Sequence, residues 1–93
     1  MLVMIKSGPD TTDGALGLTL AKEGGADLVL LQNGVYFARS EQLGRFAGSV
    51  YVLDDDKRLR GLRDSELDSC TKSIDYDTLT DMITGGEKVV GMF

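Results

Sequence analysis

A run of four aliphatic residues at 28–31 is followed by Gln32-Asn33-Gly34, and apolar residues resume at Val35. A short apolar run bounded by turn residues is typical of a buried strand. Asn-Gly between two apolar runs favours a β-hairpin. The alternative is a strand that ends at Gln32, turns at Asn33-Gly34 and enters a helix near Val35. Because residues 28–31 do not alternate apolar with polar side chains, they indicate a strand covered on both faces, as in a parallel sheet between helices.

The rest of the chain alternates between short apolar runs and amphipathic segments. Further strands are predicted at residues 2–5, 49–53, 71–74 and 88–92, and helices at 12–23, 36–43, 55–62 and 76–84. The side chains predicted to face the core are Leu16, Leu20 and Ala21 in the first helix and Tyr76, Leu79, Met82 and Ile83 in the last. This alternation predicts one α/β domain over residues 1–93, with a mainly parallel sheet of about five strands and helices on both faces. The strand order is left open.

Charge and composition exclude several kinds of protein. The 93 residues carry a net charge of -5, so direct nucleic-acid binding would need a local basic patch. The basic cluster at 57–63 is interpreted as a solvated helix face. The absence of histidine removes the commonest general base and metal ligand, and one cysteine permits no disulfide within the chain. We therefore expect no cofactor, no metal and no direct nucleic-acid contact.

A cytoplasmic location is expected from the apolar runs and the N-terminus. No run approaches the roughly 20 apolar residues that span a bilayer. Residues 1–6 have no basic leader and are too short for a signal peptide. We therefore expect no membrane contact.

Candidate binding residues follow the predicted strands. Ser7, Gln32, Asn33, Gly34 and Asp54 should lie at the carboxyl ends of parallel strands, where open α/β sheets bind ligands. The alternative is helix capping, which is favoured because neither a Gly-Lys-Ser/Thr phosphate loop nor a G-x-G-x-x-G motif is present.

Two further features near these loops have two interpretations each. Tyr36 is either a core residue or part of a partner surface, where tyrosine is enriched. The aspartates at 54–56 match the oxygen ligands of magnesium, but helix capping with solvated charges is favoured because adjacent side chains diverge. No metal site is therefore predicted.

Cys70 is the one candidate for nucleophilic chemistry. A reactive thiol needs a lowered pKa, which a helix N-terminus or nearby cations supply. Arg63 and Lys72 would favour the thiolate, whereas Glu66 and Asp68 oppose it. This balance favours an inert cysteine, which behaves as a small apolar side chain.

Five short motifs occur in an order that resembles a known family. They are MLVMIKSGP at 1–9, QNGVYFA at 32–38 after Glu23-Gly24, VYVL at 50–53, RGL at 60–62 and IDY at 74–76. Together they resemble the DsrH/TusB family within the DsrE/DsrF/DsrH group. The resemblance implies a Rossmann-like three-layer fold, in which Asn33-Gly34 is a strand-to-helix turn.

The resemblance also implies a role in sulfur relay. Members of the group pass persulfide sulfur between proteins, toward 2-thiolation of a tRNA wobble uridine or in sulfur oxidation. The DsrH/TusB member assembles with DsrE/DsrF (TusD/TusC)-like subunits in a hetero-oligomer, and a DsrE-type subunit carries the sulfur. Some DsrH relatives have a cysteine in the first helix, where this chain has Gly17. The resemblance therefore implies a subunit without the sulfur-carrying residue.

Three functional hypotheses follow. The first is a non-catalytic structural and interaction subunit of a sulfur-relay complex. The second is a sulfurtransferase that uses Cys70. The third is a small-ligand-binding module that self-associates, for example as a homodimer, with its ligand at the Ser7 and Asn33 loops.

Overall fold

The computed structural model describes residues 1–39, 43 and 46–92. Within these residues the strands are β1 Leu2–Ile5, β2 Asp27–Leu30, β3 Val50–Leu53, β4 Thr71–Ile74 and β5 Val89–Met92. The α-helices are α1 Thr12–Gly24, α2 Asp54–Leu59 and α3 Tyr76–Thr84, and 3₁₀ helices cover Gln32–Ala38 and Asp64–Glu66.

The described strands form one all-parallel sheet in the order β4-β3-β2-β1-β5. Because β2 and β3 are parallel neighbours, the segment between them is a crossover and not a hairpin. Leu28, Val29 and Leu30 of β2 have no measurable exposure, as expected for a strand covered on both faces. The predicted parallel α/β fold is thus confirmed.

Alternate residues of each strand supply two separate cores. One face carries Ile5, Leu30 and Val52, and the residues of the first 3₁₀ helix, including Val35, pack on the same side. The other face carries Val29 and packs against Leu79 of α3. The three layers therefore have the two-sided burial that purely apolar strands require.

Helix α1 lies on the sheet through its small residues. Gly17 and Ala21 are buried, whereas Leu16 and Leu20 are 54% and 36% exposed. The predicted Leu16/Leu20 stripe is therefore wrong. The reason is the close approach of helix and sheet, since a Cβ at Gly17 would lie 2.9 Å from Ile5 Cγ1.

Helix α3 is capped as expected but faces the sheet differently. Asp75 accepts a hydrogen bond from the Thr78 N–H at 2.8 Å. Leu79 is buried, but Tyr76 and Ile83 are 55% and 40% exposed, so the predicted stripe is wrong at those two positions. Tyr76 opens the helix directly after β4, at the end of the sheet, where no strand lies beneath it to cover the ring.

Two of the remaining helix predictions differ in their boundaries. The helix predicted at 36–43 is a 3₁₀ helix that begins at Gln32 and ends at Ala38. Positions 40–42 of that prediction lie outside the described residues. The helix predicted at 55–62 is α2, which begins at Asp54 and ends at Leu59.

Candidate functional site

The predicted crevice residues follow the carboxyl ends of neighbouring strands. Ser7 comes after β1, residues 32–34 come after β2, and Asp54 comes after β3. The first two loops touch: the Gly34 N–H donates to the Lys6 carbonyl at 3.1 Å and to the Leu31 carbonyl at 2.8 Å. A Cβ at Gly8 would lie 3.7 Å from the Asn33 carbonyl oxygen. The fold therefore brings the Ser7 and Asn33 loops together.

Helix α2 is tied to the turn after β2 by Asp56 and Arg60. The backbone N–H of Gln32 donates to Asp56 Oδ2 at 2.7 Å, and Gln32 adopts a left-handed φ of 48°. Arg60 Nε donates to Asn33 Oδ1 at 3.0 Å, and its Nη1 donates to the Asp56 carbonyl at 3.4 Å. Sequence reasoning missed Asp56 and Arg60, although their i,i+4 spacing was a signal. The polar groups of Gln32 and Asn33 are thus partly engaged within the protein.

Asp54 is held by cations of its own helix. Its carboxylate lies 3.0 Å from Lys57 Nζ and 2.8 Å from Arg58 Nη2. The hydrogen bond from Lys57 is the main cause that lowers the pKa of Asp54. Asp54 is therefore a charged group of α2 whose oxygens face basic side chains.

Lys57 links three elements from a nearly buried position. Its Nζ donates to Asp64 Oδ1 at 2.6 Å and to Ser73 Oγ at 3.0 Å, and the residue is only 6% exposed. The hydrogen bond to Asp64 raises the pKa of Lys57. The interpretation of the basic cluster as a solvated face is wrong for Lys57, whose ammonium is matched by carboxylates, and it holds for Arg58, which is exposed.

The three consecutive aspartates diverge. Asp54 faces Lys57 and Arg58, Asp55 lies 3.1 Å from Arg58 Nη2, and Asp56 accepts from Gln32. Among the described residues, no group of three or more Asp, Glu or Cys side chains is placed to hold a metal ion.

Tyr36 sits beside the crevice in a mixed environment. It is half-buried and packs against the core on the α1 side of the sheet. The Arg39 guanidinium lies 5.2 Å from the centre of the Tyr36 ring, within the range of a cation–π contact. One side of the ring is therefore covered by core and the other by a cation.

Cys70 lies at the opposite edge of the sheet. It immediately precedes β4, whereas the crevice residues follow the strands. Its N–H donates to Asp68 Oδ1 at 3.1 Å. Partial burial of the thiol raises the pKa of Cys70, and the hydrogen bond and negative charge of Asp68 raise it further. Cys70 is exposed, but its surroundings favour the unreactive protonated thiol.

Gly17, where the resemblance implies a cysteine in some relatives, is buried against the sheet. A Cβ at this position would lie 2.9 Å from Ile5 Cγ1 and 3.2 Å from Met92 Cβ. These contacts are shorter than ordinary van der Waals separations. The site that carries sulfur in such relatives is thus closed in this chain.

Comparison with known proteins agrees with this geometry. The family model for DsrH like protein matches residues 7–89. Protein Tm0979 from Thermotoga maritima is 30% identical, with a TM-score of 0.67 over 95% of this chain and 97% of that one. The ychN protein from E. coli has a TM-score of 0.72 at 14% identity over 97% of each chain, which is a likeness of fold. No functionally curated protein was found to match.

The fold and its loops define a small three-layer parallel α/β protein with a polar crevice at the carboxyl edge of its sheet. The chain belongs to the DsrH-like family, and it is therefore a sulfur-relay-related protein. In the part of the chain that the structure describes, no helix has the length and apolar content needed to cross a bilayer.

Proposed function

We propose that this chain is a non-catalytic subunit of a cytoplasmic sulfur-relay complex that serves tRNA wobble-uridine 2-thiolation or sulfur oxidation. In this role it assembles with DsrE/DsrF (TusD/TusC)-like subunits and shapes the complex, while a partner cysteine carries the persulfide. The observation that carries the proposal is the setting of Cys70, the one cysteine of the sequence. A thiol with a raised pKa beside Asp68 is a poor acceptor of persulfide sulfur.

The setting of Gly17 supports the same conclusion from the other direction. The position is filled by neighbouring side chains of β1 and β5, so it offers no space for a sulfur atom. Neither the native cysteine nor the position that bears one in some relatives is therefore suited to transfer chemistry in this chain.

The test is reconstitution with partners from the same source. Purified chain is mixed with DsrE- and DsrF-type subunits, and the assembly is followed by size-exclusion chromatography with light scattering. We expect a mixed complex, and we expect the Cys70→Ser variant to support sulfur relay as well as the wild type. A chain that joins no complex contradicts the subunit role, and loss of relay in Cys70→Ser would instead favour a sulfurtransferase that uses this thiol.

A second candidate is a small-ligand-binding module that self-associates. It is favoured by the contact between the Ser7 and Asn33 loops, which forms a polar crevice where parallel α/β sheets bind ligands. A ligand that binds the native state raises the melting temperature. A thermal-shift screen of small anions and nucleotides in which Asn33→Ala abolishes a shift would favour this function over the first.

A further inference from the structure

An open groove lies between α2 and the start of α3. It is lined by Asp55, Arg58, Leu59 and Tyr76 and encloses about 420 Å³. Leu59 is 81% exposed and Tyr76 is 55% exposed. We call this surface the α2–α3 groove. Large apolar side chains exposed together in a concave surface are typical of a site that another molecule covers.

Leu59 is displayed by an element that is held firmly in place. Lys57, two residues earlier, is bonded to Asp64 and Ser73, and Arg60, the next residue, is bonded to Asn33. The backbone around Leu59 is thus fixed before any partner arrives. A pre-organised surface of this kind loses little conformational entropy on binding.

The charges around the groove are mainly negative. Asp54 and Asp55 both contact Arg58, the one basic residue of the lining. Asp75 and Asp77 flank Tyr76, and the hydrogen bond from the Thr78 N–H keeps the pKa of Asp75 below its ordinary value. Four carboxylates therefore stand against one guanidinium, and the buried ammonium of Lys57 is already shared by Asp54 and Asp64. An occupant with complementary charge carries lysine or arginine.

We propose that the α2–α3 groove docks a partner subunit that inserts an apolar side chain between Leu59 and Tyr76 and places basic side chains against the surrounding aspartates. This inference rests on the proposed function, since the partner is a DsrE- or DsrF-type subunit of the same complex. Tyr76 supplies a broad apolar contact, and tyrosine is enriched among the residues that dominate binding energy. The aspartates steer and orient the partner.

The test measures the affinity of the chain for purified DsrE- and DsrF-type subunits from the same source by isothermal titration calorimetry. Leu59→Ala and Tyr76→Ala should each weaken binding by at least about tenfold, as expected for residues at the centre of an interface. Leu16→Ala is the matched control, because Leu16 is another exposed leucine but lies on α1. Circular dichroism should show that all three variants remain folded.

Two charge variants with opposite effects test the chemistry of the partner. Asp55→Asn removes a carboxylate and should weaken binding by about two- to fivefold, the range of exposed ion pairs. Arg58→Gln frees Asp54 and Asp55 from their internal partner and should strengthen binding by a similar factor. Reversed signs would indicate an acidic partner surface and overturn the proposal.

The remaining outcomes separate this inference from the proposed function. If the wild type binds the partner and the Leu59 and Tyr76 variants bind equally well, the groove is not the docking site, but the subunit role stands. If the wild type binds neither partner, both proposals fail. If sedimentation shows self-association that Leu59→Ala abolishes, the occupant is a second copy of this chain and the inference of a partner subunit is wrong.

Discussion

Gly34 lies directly against the carbonyl group of Ile5, where a Cβ would collide with the backbone oxygen. The Gly34 N–H bonds to the next carbonyl, that of Lys6, at 3.1 Å. This contact joins the end of β1 to the turn after β2. It explains why the Asn-Gly sequence serves a strand-to-helix turn in this fold, since a larger residue would separate the two loops of the crevice.

Gly34→Ala should destabilise the protein by about 1 to 3 kcal/mol, the usual effect of overpacking a closely fitted site. The free energy of unfolding is measured by urea denaturation. Gly85→Ala is the control, because Gly85 has an ordinary φ of -76° and its nearest neighbour would lie 3.2 Å from the added carbon. Equal stability of Gly34→Ala and the wild type would contradict the close contact.

A cysteine placed at position 17 should be unreactive. In a Cys70→Ser background, Gly17→Cys adds a side chain where Ile5 and Met92 leave no room, so we expect a loss of about 1 to 3 kcal/mol in unfolding free energy. The new thiol should react with Ellman's reagent only after denaturant is added. Rapid labelling of the native variant at unchanged stability would show that the position is open.

The reactivity of Cys70 should depend on pH in a direction set by Asp68. Because the pKa of Cys70 is raised, the rate of alkylation by iodoacetamide should reach half its maximum above pH 9.0, the ordinary value for the thiol. Asp68→Asn should lower that midpoint by removing the negative charge, whereas Glu66→Gln should leave it unchanged. A wild-type midpoint below pH 9.0 would indicate an activated thiol.

Lys57 should stabilise the fold until the solution becomes strongly alkaline. Its folded pKa is raised above the ordinary value of 10.5, so its contribution is fully present below pH 10.5 and is lost as the pH rises through the folded pKa. Lys57→Met should lower the unfolding free energy at pH 7 by about 1 to 2 kcal/mol, since hydrogen bonds to charged groups are lost.

Denaturation of this variant and the wild type at several pH values checks both statements. The stability difference between the two proteins should shrink above pH 10.5. Arg58→Met serves as the control, because Arg58 is exposed and makes surface ion pairs, which contribute little. A difference that stays constant from pH 7 to pH 11 would mean that the Lys57 charge contributes nothing.

The strands could be predicted from sequence because their aliphatic runs leave few alternatives. Residues 28–31 contain no polar side chain, and such a run is stable only when both faces are covered. The helix faces could not be predicted in the same way. The stripe Leu16 and Leu20 had the expected spacing, but the close approach of α1 to the sheet selects glycine and alanine at the contact.

The candidate site was predictable in position but not in its internal bonds. Residues that follow parallel strands must meet at one edge, so Ser7, Asn33 and Asp54 were placed at that edge from sequence alone. The burial of Lys57 depends on Asp64 and Ser73, which come from elements whose positions only the folded chain sets. Lysine is also rarely buried, so its residue type gives no signal of such a role.

The central claim, that this chain carries no sulfur itself, is tested most directly by intact-mass spectrometry. The chain and a DsrE-type partner are incubated together with a cysteine desulfurase and free cysteine, and both masses are recorded before and after reduction. We predict that the partner gains a reducible sulfur atom and that this chain does not. A reducible gain of sulfur on this chain that disappears in Cys70→Ser would contradict the claim and identify Cys70 as a sulfur carrier.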